Sequence, residues 1–130
     1  VGKGISTYFE AVSNALREDA DVIILGDFND KDVVEQAFLA AETGHLVIAS
    51  LQASGSVDAI EKIINLFPLE RQDEIRGQLS QNLIGIFSQR LIPYINYKQK
   101  PSVAYELLFA TPNIRNIIKE RKYSLLSSSL

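Results

Sequence analysis

Two short apolar runs limit what this chain can become. "DVIILG" at 21–26 and "HLVIASL" at 45–51 are too short to be helices buried all round, and their apolar residues do not alternate with polar ones. Each reads as a strand with both faces covered, the habit of a parallel sheet. Parallel neighbours need a crossover, and the stretch between the runs supplies it. Asp30 stands where an N-cap belongs, Val33, Val34, Ala37, Phe38 and Ala41 share one helical stripe, and Gly44 offers a left-handed stop. A helix is expected ahead of the first strand too, with Ile5, Tyr8, Phe9, Val12, Ala15 and Leu16 on its stripe and Ser6 or Thr7 at its start. After the second strand come a helix bearing Val57, Ile60, Ile63, Ile64 and Phe67, which Pro68 ends, and another over about 69–83. Two strand-like runs follow, "LIGIFSQRLIPYI" and "PSVAYELLFA", joined by the polar turn "NYKQK". A last helix, "PNIRNIIKERKY", has Pro112 in its first turn and leads into a Ser/Leu tail. The order predicts an α/β fold of mainly parallel strands with right-handed crossovers, plus an antiparallel pair and terminal helices.

Composition narrows the function classes. With 130 residues, 46% of them hydrophobic, the chain can build one real core. Its formal charge of −3 gives no global field toward nucleic acid or an anionic membrane. There are no cysteines, so disulfides, thiolate nucleophiles and Cys-based zinc sites are excluded together. No apolar run reaches the roughly 18 residues of a transmembrane helix, and the start lacks the order of a signal peptide. The expectation is a soluble, cytoplasmic protein. The sequence has no methionine and opens mid-pattern on "VGKGISTYF", so it is expected to be a piece of a longer chain.

The first strand ends on acid: Gly26 is followed by Asp27, and Asp30 comes three residues later. In open α/β sheets ligands sit beyond the carboxyl ends of the strands, where Asp27 and the residues around Gln52 are expected. Both acids can instead cap the next helix and complement its dipole, worth about 0.5–2 kcal/mol. Pattern alone leaves the two readings open.

Longer stretches add to this. "NALREDADVIILGDFND", "AFLAAETGHLVIASLQAS" and "TPNIRNIIKERK" together resemble the PilT-type twitching-motility, or pilus-retraction, ATPases of the secretion-ATPase superfamily, in order and over almost the whole chain. The resemblance implies that residues 1–130 are the C-terminal portion of a RecA-like P-loop NTPase domain, a three-layer fold, with 112–130 as terminal helix and tail. It further implies ATP and Mg2+ as cofactors of the complete protein, a homo-oligomeric, hexameric ring, and a membrane-platform protein of the pilus machinery as partner. The location implied is the cytoplasmic, inner face of the bacterial membrane.

The family's Walker B region reads as an aliphatic strand and then Gly-Glu-Met-Arg-Asp; here it is Gly26, Asp27, Phe28, Asn29 and Asp30. Its histidine box reads Thr-Gly-His, a strand, then Thr-Leu-His. Thr43, Gly44 and His45 match the first part, while Ser50, Leu51 and Gln52 stand at the second. On this resemblance Asp27 is the catalytic carboxylate and a holder of magnesium, and Arg17, Gly26 and Gln52 are nucleotide-binding. Asp27 is one methylene shorter than the family's glutamate, and a displacement of about 1 Å can cost roughly 10²-fold in rate. Gln52 can donate a hydrogen bond but cannot carry a proton as histidine does. Asn29 loses the family's positive charge. Arg17 reads equally as a cation at a helix C-terminus, and His45, the single histidine, as a hydrogen-bonded structural residue at a strand entrance.

No Gly-x-x-x-x-Gly-Lys-Ser/Thr loop occurs in the sequence, and "VGKG" at the start is not one. The chain by itself is therefore expected to bind ATP weakly or not at all. In the terminal helix, "NIRNIIKE" is similar to the family's Ala-Ile-Arg-Asn-Leu-Ile-Arg-Glu signature, with Asn113, Ile117 and Lys119 as departures. Ile114, Arg115, Asn116 and Ile118 are then expected on a surface that couples ATP turnover to retraction. A solvated charged face is the plain alternative. No aromatic platform accompanies these charges, so nucleic acid is not an expected partner. The alternative to a motor is a non-catalytic paralogue, a nucleotide sensor or structural ring subunit, in which Asp27, Asn29 and Gln52 mark lost hydrolysis.

Overall fold

The computed structural model describes residues 10, 11, 14, 21–92 and 102–126. Glu10, Ala11 and Asn14 are helical, and the rest of the expected first helix, with Arg17, lies outside the described residues, as does the turn "NYKQK". The strands are β1 (Val22–Leu25), β2 (Leu46–Ala49), β3 (Gly85–Ile92) and β4 (Ser102–Phe109). The described helices of more than one turn are α1 (Lys31–Glu42), α2 (Ser56–Asn65), α3 (Leu69–Asn82) and α4 (Pro112–Lys119), with a short 3-10 turn at Tyr123–Leu125.

β1 and β2 pair in parallel, Val22 opposite Leu46 and Leu25 opposite Ala49, and α1 is the crossover between them. β3 and β4 pair antiparallel along their whole length, from Gly85 opposite Phe109 to Ile92 opposite Ser102. This is the α/β arrangement expected, with one parallel and one antiparallel pair as two separate sheets among the described residues.

Local chemistry sets the ends of α1. Asp30 is extended, and its carboxylate accepts from the amide of Asp32 at 2.7 Å and of Val33 at 3.4 Å, so the orphan donors of the first turn are satisfied. At the other end Gly44 has φ +97°, the left-handed conformation that a Cβ disfavours. The Gly44 amide bonds the Ala41 carbonyl at 3.3 Å and the His45 amide bonds the Ala40 carbonyl at 3.0 Å, the paired bonds of a Schellman stop. The same device shortens α4. Arg121, with φ +62°, donates to the Ile118 carbonyl at 3.3 Å and Lys122 to that of Ile117 at 3.0 Å, so the helix ends at Lys119 where periodicity alone extends it to Tyr123.

One apolar core joins these elements. Ile23 and Leu25 of β1, Val33, Val34, Ala37 and Phe38 of α1, Ile60 and Ile64 of α2, Ile75 and Leu79 of α3, Leu108 of β4, and Ile114, Ile117 and Ile118 of α4 are all buried in it. Each large side chain so buried contributes about 1.5–3 kcal/mol relative to exposure. The parallel pair is covered on one face only: Val22 and Ile24, and Leu46 and Ile48 beside them, are exposed. Among the described residues α1 is the helix that lies against the sheet.

Candidate functional site

Two loops leave the carboxyl ends of the parallel pair side by side. The first, 26–30, is joined to the second by backbone: the Phe28 amide donates to the Ser50 carbonyl at 2.9 Å, and the Ser50 amide returns to Leu25 at 3.2 Å. The Ser50 hydroxyl adds a bond to the Gly26 carbonyl. Phe28 turns into the core, which leaves its neighbours Asp27 and Asn29 facing solvent. Between the loops opens a cavity of about 400 Å³ lined by Asp27, Phe28, Asn29, Leu51, Gln52, Lys62 and Leu66. The two acids at the end of β1 therefore have different surroundings. Asp30 is spent on the helix cap, whereas no hydrogen bond or ion pair among the described residues engages the Asp27 side chain.

The second loop, 50–56, is held by side chains. Lys62, one turn along α2 from Asp58, donates to the Gln52 carbonyl at 2.7 Å and lies 3.4 Å from the Asp58 carboxylate. Asp58 accepts from the Ser54 amide at 2.8 Å, and this bond, helped by Lys62, keeps its carboxyl below the ordinary value. α2 begins at Gly55 without a side-chain cap, so Asp58 in its first turn also answers the helix dipole. Farther on, the antiparallel pair reaches across. Arg90 of β3 donates to the Ser54 carbonyl at 2.8 Å, and Glu106 of β4 accepts from the Ser56 amide at 2.8 Å.

The structure thus brings Asp27 and Gln52 to one cavity, with Gly26 at its edge as the residue before Asp27. It does not bring Thr43, Gly44 and His45 there. Those three form the C-terminal stop of α1, at the opposite end of β2, and a four-residue strand is about 13 Å long. The Thr43 hydroxyl donates to the Leu39 and Ala40 carbonyls at 2.9 and 3.1 Å, and His45 Nδ1 sits 3.0 Å from the Ala40 oxygen and 3.2 Å from Thr43 Oγ1.

The expected coupling surface is also corrected in part. Ile114 and Ile118 are core residues, 3% and 0% exposed, so they are not available at a surface, because the apolar stripe of α4 docks on α3. Arg115 turns back to the end of α3, where its Nη1 donates to the Ser80 carbonyl and, at 3.0 Å, to that of Gln81. Asn116 is exposed. Lys62, Asp58, Arg90 and Glu106 were not singled out by sequence. The Asp58 and Lys62 pair has the i, i+4 spacing of a helical ion pair and was legible in principle.

One carboxylate free beside an amide, in a water-open cavity, suits an anionic ligand whose charge a hydrated cation offsets. Magnesium keeps most of its waters and takes only one or two carboxylates beside substrate phosphates, so Asp27 alone fits that use. No group of three or more histidine, cysteine or acidic side chains that could hold a metal by themselves occurs among the described residues. No helix among them is long and apolar enough to cross a membrane.

Residues 2–124 match the family described as type II/IV secretion system protein. The chain is 38% identical over 122 residues to YggR of Escherichia coli (strain K12), covering 94% of this chain and 37% of that protein. It is 37% identical over 123 residues to the type IV pilus retraction ATPase PilT of Pseudomonas aeruginosa, covering 95% and 35%. Among solved structures it superimposes on the pilus retraction motor PilT with bound ADP at a TM-score of 0.85 and 43% identity, over 98% of this chain and 37% of that one. The chain thus spans little more than a third of the length of these relatives. A match that runs from residue 2 to residue 124, carrying Asp27 and Gln52 at the ends of a parallel pair, leaves one assignment: this chain belongs to the type II/IV secretion system protein family.

Proposed function

We propose that residues 1–130 are the C-terminal portion of the RecA-like ATPase domain of a PilT-type pilus retraction motor, with 112–130 as its terminal helix and tail. The observation that carries this reading is the convergence of Asp27 and Gln52 on one cavity at the carboxyl ends of β1 and β2. Phosphoryl transfer needs the phosphates cradled, a magnesium ion held, a water aligned and the developing charge offset. Asp27 is the group that holds magnesium through its waters or aligns the attacking water. Gln52 donates its amide to the terminal phosphate. Gly26 gives the loop its turn into the site, and Arg17 pairs with phosphate. The phosphate-cradling loop, absent from these 130 residues, comes from elsewhere in the complete protein. The PilT relative with bound ADP supports nucleotide as the ligand.

The complete protein acts as a homo-oligomeric ring, a hexamer by likeness to its relatives, at the cytoplasmic face of the membrane against a platform protein of the pilus machinery. The α4 signature serves coupling through Asn116, the exposed member of the expected four, and through the α3–α4 unit that Ile114, Arg115 and Ile118 lock together.

The test is steady-state ATP hydrolysis by the full-length protein beside its Asp27→Glu plus Gln52→His double variant. Turnover within about tenfold of the variant is expected, since a shorter carboxylate still reaches magnesium through water. Turnover in the variant alone would favour a non-catalytic paralogue, a reading that Gln52 in place of the family's histidine supports.

A further inference from the structure

The antiparallel pair reaches farther than its own sheet. Ser88 of β3 lies opposite Glu106 of β4, and Arg90, two residues on, projects from the same face as Ser88. Three polar side chains of this face, Arg90, Glu106 and Ser88, meet one short stretch of the site's second loop. Arg90 Nη2 donates to the Ser54 carbonyl at 2.8 Å, Glu106 Oε1 accepts from the Ser56 amide at 2.8 Å, and the Ser88 and Ser56 hydroxyls stand 3.5 Å apart. Ser56 is 1% exposed, so the bond to its amide is shielded from competing water. The opposite face of the same hairpin is mostly apolar, with Phe87, Leu91, Val103, Tyr105, Leu107 and Phe109 around Gln89. The polar residues are thus concentrated where the loop passes.

The loop they grip runs four residues back to Gln52, whose carbonyl is held from the other side by Lys62. Gln52 has no side-chain partner among the described residues, so its amide goes where the backbone of 52–56 puts it. Two anchors on α2 and two on the hairpin fix that backbone at both of its sides. Removal of one hairpin anchor leaves a hinge between Ser54 and Ser56.

We infer that Arg90 and Glu106 are positioning residues for the candidate site: through Ser54 and Ser56 they set the place of Gln52 relative to Asp27, and they make the β3–β4 hairpin the element through which movement elsewhere in the motor reaches that site. The inference deepens the motor reading and rests on it for its catalytic half. Neither residue lines the cavity. Their effect is on the geometry of the loop, where a shift of about 1 Å is worth up to 10²-fold in rate.

The experiment uses the full-length protein and the variants Glu106→Ala, Glu106→Gln and Arg90→Ala, with two readouts. The first is hydrogen exchange at the Ser54 and Ser56 amides without nucleotide. Glu106→Ala is expected to speed exchange at Ser56 by about tenfold, the factor of one lost hydrogen bond, while amides inside α2 stay protected. Glu106→Gln keeps an acceptor and should restore most of the protection, which separates this loss from misfolding. The second readout is ATP turnover, where Glu106→Ala and Arg90→Ala are expected to lower kcat about tenfold with KM little changed, and Glu106→Gln to recover it. Unchanged exchange at Ser56 in Glu106→Ala would overturn the anchoring. Lost protection with unchanged kcat would overturn the positioning role. A parent without ATP turnover would sink the motor reading and the catalytic half of this inference, while exchange at Ser56 still decides whether the hairpin holds the loop.

Discussion

The two loops that line the cavity leave neighbouring parallel strands in the same direction, yet they are held by different forces. Loop 26–30 is fixed by backbone bonds to the end of the neighbouring strand, the local Asp30 cap and the burial of Phe28. Loop 50–56 has no buried aromatic anchor and no cap of its own. It is suspended from Lys62, Asp58, Arg90 and Glu106, four ionised side chains of which two come from strands more than thirty residues away. Apolar burial is a steady constraint that does not answer to small displacements of a partner. A suspended loop moves when its anchors move. The difference teaches where this site is rigid and where it is adjustable: the Asp27 carboxylate sits on the rigid loop and the Gln52 amide on the adjustable one.

The sharpest way to break this contrast is Phe28→Ala. The side chain is buried at 8% exposure beside the cavity, and truncation of a buried phenylalanine costs about 3–5 kcal/mol. The expected result is a markedly lower urea midpoint of the full-length protein, with exchange at 26–30 faster than at 50–56. A cost under about 1 kcal/mol would mean that the first loop does not depend on burial and that the contrast is false. Next in size is Asp30→Ala. Loss of an N-cap carboxylate is worth about 1 kcal/mol, and it should appear as faster exchange at Asp32 and Val33 with the Ser54 and Ser56 amides unaffected. Parallel loss at both loops would show that the cap supports the whole site rather than one side of it.

How much could be read from sequence follows the same division. The first loop was legible because its devices are local: an aliphatic run that ends on Gly26, an acid at the cap position, a helical stripe and Gly44 to stop it. Each of these is a rule about residues fewer than five apart. Asp30 is legible as the cap, but whether Asp27 shares that role is not, and the turn of Phe28 into the core is what leaves Asp27 facing solvent. Thr43, Gly44 and His45 share a motif with Gln52, yet Gly44 as a helix stop and His45 at the far, entrance end of the strand are legible in the sequence, and they form a Schellman stop there. The grip of Arg90 and Glu106 on the second loop was not legible. It depends on the register that sets Ser88 against Glu106, and the strands are joined by a connection too long for turn chemistry to fix that register. Likeness to the family signature places Ile114 and Ile118 on a surface. Their spacing of four and the stripe they share with Ile117 equally fit a docked helix, and burial against α3 is what the fold selects.

The smallest effect expected is also the most selective. Glu106 and Asp58 accept backbone amides, Ser56 and Ser54 respectively, and these bonds keep both carboxyls below their ordinary values of 4.5 and 3.8. A carboxyl whose value is lower in the folded state adds stability above its ordinary value, and that stability is lost as pH falls through the lowered one. Protection of the two amides, corrected for the intrinsic pH dependence of exchange, should therefore hold at pH 5 to 7, then decline at Ser56 only below the ordinary glutamate value of 4.5 and at Ser54 only below the ordinary aspartate value of 3.8. The Phe28 amide donates to the neutral carbonyl of Ser50 and has no such partner to lose. It should keep its protection until the molecule unfolds as a whole. In Glu106→Gln the decline at Ser56 should vanish while that at Ser54, which Asp58 governs, persists. A common fall at Phe28, Ser54 and Ser56 would mean that acid acts on the fold rather than on the suspended loop, and that the two loops are held more alike than their contacts imply.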